Sequence, residues 1–322
     1  MLTDSWRGQR TGAVDRPAPA RPLRKESSID WTAPIDRSRW FFCETLTPLA
    51  YTRVYGELGE AHRRRYNQLT GMLSNELILR LETDFLGAAL GAVEKDEGLS
   101  AAVKQFAEDE RQHAEIWRRL NRLSAPERYA TSDRWLCRVP PVIRAVSGAI
   151  VRHPAAWPVI FWIQLSQEER SIDISRRCLR VPADRMEPRY AAAYRAHVKD
   201  EVRHVQIDCH LLERFYARRS QVIRRLTAAM FRTLVGSVFL VPARSTQQIV
   251  RVLASEYPEL TPLLPRMRTE LRALVTNDDY QRMMYSRETT PLTFEWFDRF
   301  EEFHSMDRVL RAYAPRAMRT VA

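Results

Sequence analysis

Residues 197–204 read HVKDEVRH, so His197, Glu201 and His204 recur at spacings of four and three. On an α-helix those three side chains fall within about 60° of arc, and one face presents two imidazoles and a carboxylate. A related half-motif lies upstream in DERQHAEIW (Asp109 to Trp117), where Glu110 and His113 form a second E-x-x-H. A single E-x-x-H is common by chance. Two of them, each preceded by a long helical pattern carrying a glutamate on its apolar stripe, form the ligand pattern of a two-metal carboxylate site inside a helical bundle.

Helix phase selects the remaining ligands. Glu82 is flanked by Ile78, Leu79, Phe85 and Leu86 at helical spacing, in the middle of an apolar stripe, whereas Glu76 meets Arg80 and Thr83. Glu82 is therefore the expected ligand. On the third long helix Glu169 is in line with Trp162, Leu165 and Ile172, while Glu168 has Gln164 and Ser171 beside it, so Glu169 is preferred. Glu110 shares its face with Val103, Phe106, Ala107 and Trp117. A carboxylate on such a face needs a compensating charge, which a metal supplies. The expected ligands are thus Glu82, Glu110, His113, Glu169, His197, Glu201 and His204. Mixed nitrogen and oxygen ligation suits two iron ions, with manganese as a substitute, and open positions admit dioxygen as co-substrate. His62, His153, His210 and His304 have no such partners; His210 lies about 140° from the His197 stripe.

Outward from these motifs the chain reads as helix after helix. Helical patterns run over about 48–68, 70–92, 98–121, 140–151, 156–178, 187–218, 220–238, 244–255, 261–276 and 291–313, with breaks at Gly98, Pro140-Pro141 and between Pro182 and Pro188. No alternating strand pattern or internal repeat is present. Residues 1–38 are rich in proline, arginine and serine without periodicity and predict a disordered basic arm. Residues 39–322 then form one domain, with a metal-binding bundle over about 60–218 and further helices over about 220–313. The aromatic run Phe294, Trp296, Phe297, Phe300 and Phe303 is expected to pack against the bundle.

Composition narrows the function. The 322 residues are 45% hydrophobic and 28% charged, ordinary for a globular protein, and long enough to bury a large core. Only 10 glycines occur, and neither glycine-rich nucleotide-binding signature is found. The formal charge of +11 raises nucleic acid as a partner, but arginine is spread over nearly every segment instead of forming a stripe, and no nucleic-acid partner is expected. The four cysteines, Cys43, Cys137, Cys178 and Cys209, form no C-x-x-C pair and suit a reducing cytoplasm. No apolar signal segment is seen at the amino terminus. The most apolar later stretch, Phe231 to Val241, contains Arg232 and is too short to cross a bilayer, so no membrane partner is expected.

The segments YNQLTGMLSNELILRLE (Tyr66 to Glu82), DERQHAEIW, EERSID (Glu168 to Asp173) and HVKDEVRH resemble the di-iron N-oxygenases related to para-aminobenzoate N-oxygenase. The resemblance covers roughly residues 60–215. It implies an all-α, ferritin-like helical bundle with a di-iron centre in its core and additional C-terminal helices. The family's first ligand is the second glutamate of an N-E-x5-E segment, which lands on Glu82. Its E-x-x-H lands on Glu110 and His113, its third-helix ligand on Glu169, and its extra-histidine helix on His197, Glu201 and His204. It further implies an oxygenase that transfers oxygen from O2 to a primary amine, aromatic substrates included, giving hydroxylamine, nitroso or nitro products. With no flavin, NAD or cluster motif in the chain, electrons are expected from a separate donor protein or reductase. The remaining expectations are a small-molecule amine substrate and a cytoplasmic homodimer. The competing readings are a di-iron C–H hydroxylase or desaturase and, in another class, an iron-storage or helical interaction protein; the long C-terminal portion disfavours storage.

Overall fold

The structure, a computed structural model, describes residues 29–93, 100–139 and 141–316. Residues 1–28 of the expected arm, and the break at Gly98, lie outside the described residues. The remaining arm residues, 29–38, lie against the bundle. Arg189 reaches the carbonyls of Ala33 and Pro34, Arg37 donates to Ser124 O at 3.1 Å, and Arg119 covers the Trp31 ring at 4.6 Å. Composition alone missed this, because the segment is held by Arg189 reaching its backbone carbonyls and by the scattered apolar residues Ile29, Trp31 and Ile35, which form no periodic stripe.

Four long helices build the bundle. α1 runs from Glu60–Arg80 through a π turn, Leu81–Leu86, into Gly87–Val93. α2 is Ser100–Ser124, and a shorter helix, α3 (Pro141–Arg152), follows. α4 is Val159–Cys178, and α5 is Pro188–Leu212, prolonged by a π turn at Glu213–Ala217. The expected break near residue 69 is absent. Residues 48–57 form short 3-10 turns, and α1 continues unbroken through Gly71, where an added Cβ would stand 3.0 Å from Phe41 Cβ. A glycine there lets the segment carrying Phe41 cross α1 closely, and Asn67 clamps the crossing by accepting from Phe41 N and Phe42 N at 3.0 Å each. α5 starts as its sequence dictates: Pro188 occupies the first turn, and the Glu187 carboxylate accepts from Arg189 N and Tyr190 N. A short connection makes α4 and α5 antiparallel neighbours, with the Trp162 and Tyr216 rings 5.1 Å apart at the far end.

The C-terminal elements cover the bundle on its α4 and α1 sides. They are α6 (Gln221–Leu234, with a π turn at Val235–Phe239), α7 (Ala243–Glu256), α8 (Leu264–Ala273), α9 (Asp278–Met284) and α10 (Pro291–Arg299). The aromatic run packs on α4: Phe303 stacks on Trp162 with centroids 3.8 Å apart, and Phe297 and Trp296 adjoin the same indole. Residues 221–256 are long and apolar enough to pass as a membrane-crossing helix by length and hydropathy, further than the short stretch read from sequence. The run is interrupted at residues 240–242, and Phe231, Val235, Ile249, Val250 and Leu253 are buried against the rest of the fold. No strand occurs among the described residues; the single bridge pairs Trp40 with Met186.

Candidate metal centre

Each bundle helix brings one carboxylate to the middle of the bundle, and all seven residues that gather there are buried. They fall into two groups whose ligand atoms lie within 4.8 Å of one another: Glu82, His113 and His197, and Glu110, Glu168, Glu201 and His204. Two carboxylates belong to both neighbourhoods. Glu201 Oε1 lies 3.0 Å from His197 Nε2 and 3.5 Å from His113 Nδ1, while its Oε2 lies 3.3 Å from His204 Nδ1. Glu110 Oε1 lies 3.1 Å from His204 Nδ1 and 3.7 Å from His113 Nδ1. Glu82 enters from the π turn, with Oε1 3.6 Å from His197 Nε2.

One expected ligand, Glu169, lies outside this cluster. Glu169, preferred from helix phase, turns toward the C-terminal elements, where its carboxylate accepts from Leu292 N at 2.8 Å and Thr293 N at 2.7 Å. It thereby caps the first turn of α10, where free N–H groups and the helix dipole favour a carboxylate. Glu168 takes the place in the cluster. The difference has a physical source: C-terminal helices cover α4, so an apolar neighbourhood no longer distinguishes the bundle interior from the opposite face. Glu76, the rejected rival of Glu82, is also buried but elsewhere. It accepts from Trp135 N, Leu136 N and Cys137 N at 3.0, 2.8 and 2.6 Å and from Tyr129 Oη at 2.7 Å, tying down the segment after α2.

Several supporting residues went unassigned in the sequence. His113 Nε2 lies 3.1 Å from Asp200 Oδ2, and His204 Nε2 lies 3.4 Å from Asp109 Oδ2. Arg203 pairs with Asp109 and stands 3.6 Å from Asp200. Each aspartate directly precedes the glutamate of its E-x-x-H, so the signal was a repeated D-E-x-x-H. Such partners turn the outer ring nitrogen away and direct Nδ1 inward. Trp117 Nε1 donates to Glu82 Oε1 at 3.2 Å, and Phe106 stacks on the His204 ring at 3.9 Å.

The electrostatics are those of a site built for cations. Burial pushes Glu82 up to about 7 despite the bond to His197, and burial beside the Glu201 charge pushes Glu168 well above its usual range. Burial would also raise Glu201 and Glu110, but the facing imidazoles outweigh it and hold both below the ordinary carboxylate range. The imidazoles respond in kind: burial opposes their charge, yet Glu201 and Glu82 lift His197 to about 10, and carboxylates lift His113 and His204 too. Protons stand where cations would. Glu82 Oε2, His113 Nδ1 and His197 Nδ1 are buried without a hydrogen-bond partner, and Glu110 Oε1 and Glu201 Oε1 meet only imidazole nitrogens. Unpaired buried donors and acceptors are rare in folded proteins, and such a set of carboxylates and imidazoles fits a pair of metal ions.

A helical bundle whose core holds four glutamates and three histidines in two adjoining groups is a di-metal carboxylate protein. Residues 13–255 match the family described as P-aminobenzoate N-oxygenase AurF. The chain belongs to that family, and is an oxygenase of the helical di-iron class acting on nitrogen. A comparison with curated proteins finds no match.

Proposed function

We propose that the chain holds two irons, which Glu82, Glu110, His113, Glu168, His197, Glu201 and His204 would hold between them. Manganese would fit the same donors. With O2 the protein N-oxygenates a primary aromatic amine to hydroxylamine and onward to nitroso or nitro, drawing electrons from a separate donor protein in the cytoplasm and working as a homodimer. The observation carrying this reading is the joining of two E-x-x-H pairs with two facing glutamates in a buried cluster with unpaired ligand atoms, inside a chain of the N-oxygenase family.

The bound irons would supply electrons and a coordination site for O2. The protein's own part is structural and electrostatic. Glu110 and Glu201, both held ionised, offset the charge that two cations bring into a low-dielectric core. Asp200 and Asp109 fix the rings of His113 and His204, and the Trp117 N–H holds the Glu82 carboxylate. Burial of all seven side chains keeps bulk water from the reacting atoms. The test is anaerobic iron loading, metal counting, and exposure of the reduced protein to 18O2 with a panel of aromatic amines. About two irons per chain and label on nitrogen are expected from the two adjoining groups of ligand residues. Full loading with label only on carbon would replace the reading with a hydroxylase; a chain that binds no iron would end it.

A further inference from the structure

The stripes that carry Glu168 on α4 and His204 on α5 each continue for one turn into a polar side chain. On α4 it is Gln164, four residues before Glu168; on α5 it is Asp208, four residues after His204. Because α4 and α5 run antiparallel, both lie on the same side of the metal cluster, between it and the Trp162–Tyr216 contact. Both are completely buried, and none of their four polar atoms, Gln164 Oε1 and Nε2 and Asp208 Oδ1 and Oδ2, has a hydrogen-bond partner. Neither belongs to the two metal groups. Bare polar groups in a core are costly, so a ligand that pairs with both side chains is favoured there. Gln164 offers an amide donor and acceptor, and Asp208 offers its carboxyl oxygens.

Spacing and charge narrow what fits. Four residues of helix rise about 6 Å, close to the span of an aniline from its nitrogen to its para substituent. A para group on an amine held at the metal centre would reach the level of Gln164 and Asp208 along the helices. That group meets no free buried cation: the three buried arginines among the described residues, Arg80, Arg170 and Arg189, face Asp84, Asp173 and Glu187. Arg287 is held by Asp298 at 2.7 Å. A carboxylate there would add a charge beside Asp208 and the cluster glutamates, whereas a neutral group with its own donor and acceptor satisfies both side chains.

Resting on the N-oxygenase reading above, we propose that Gln164 and Asp208 form the far wall of the substrate site. They bind a neutral donor–acceptor group, such as a primary carboxamide, para to the amine of an aromatic substrate in preference to a carboxylate. The test is calorimetric titration of the zinc-loaded protein with 4-aminobenzamide, 4-aminobenzoate and aniline. The amide is expected to bind about tenfold more tightly than the acid. Gln164→Met and Asp208→Leu should each weaken amide binding by about tenfold while leaving aniline binding and zinc stoichiometry unchanged. Asp208→Asn, which keeps shape and an acceptor oxygen, should retain the amide. Equal affinity for acid and amide, or apolar variants that bind the amide as well as the unaltered protein, overturns the assignment. Failure of the unaltered protein to hold two metals overturns the metal centre and this inference together, and the metal count distinguishes the two failures.

Discussion

At the scale of single residues, the sharpest contrast is between two adjacent glutamates. Glu168 and Glu169 differ by one step of about 100° around α4, and that step sends one into the metal cluster and the other to the start of α10. Glu168→Gln should therefore lose at least one of the two metals per chain, and activity with it. Glu169→Gln should keep both and lower the melting temperature, since its amide caps α10 more weakly than a carboxylate. Metal analysis of the two purified variants decides the matter, and the reverse pattern would restore the assignment made from helix phase. The same scale explains why both carboxylates looked plausible. Each is buried, and an apolar flank reports burial without saying against which neighbour.

At the scale of elements, the π turn at Leu81–Leu86 and the segment after α2 matter most. Glu82 sits in that turn, and Glu76, in the regular part of α1, meets a different layer. The Glu76 carboxylate is the anchor of residues 129–137, accepting three backbone N–H groups and the Tyr129 hydroxyl. Glu76→Ala should leave metal content at its unaltered value and cost about 3 kcal/mol of stability, because buried N–H groups lose their acceptor. Denaturant unfolding of the metal-loaded variant measures the cost; lost metal with unchanged stability would reverse the roles of Glu76 and Glu82. Boundaries at this scale were partly legible. Prolines marked the starts of α3 and α5, while the break expected near residue 69 is absent because α1 runs on through Gly71, where the backbone carrying Phe41 crosses closely.

At the scale of the whole molecule, the core carries a concentration of charge that metal ions would relieve. Without metal, His197 is lifted from 6.5 to about 10 and Glu82 from 4.5 to about 7, so the folded state holds more protons than the unfolded chain between those values. Stability from these groups is fully present below the unfolded pKa values and is lost as pH rises through the folded ones. Metal-free protein should therefore melt at progressively lower temperature as pH rises from about 4.5 to about 10, while metal should bind more tightly because fewer protons compete. Thermal melts with and without metal across that range test both signs. A metal-free protein that becomes more stable toward pH 9 would contradict the charge arrangement described above.

The sequence by itself determined the helical class, the two E-x-x-H pairs, the choice of Glu82 over Glu76 as the glutamate at the cluster, and the inward stripe His197, Glu201 and His204. All of these depend on spacing along one helix, and the period of 3.6 residues is a local property of the chain. The tertiary structure decided what depends on which helix lies across the way. It placed Glu168 and not Glu169 in the cluster and gave Asp109 and Asp200 to the outer nitrogens of the histidines. It seated residues 29–38 on the bundle and left Gln164 and Asp208 buried without partners. A helix announces its faces in its own sequence, but the neighbour that each face meets is set by contacts between residues a hundred or more positions apart.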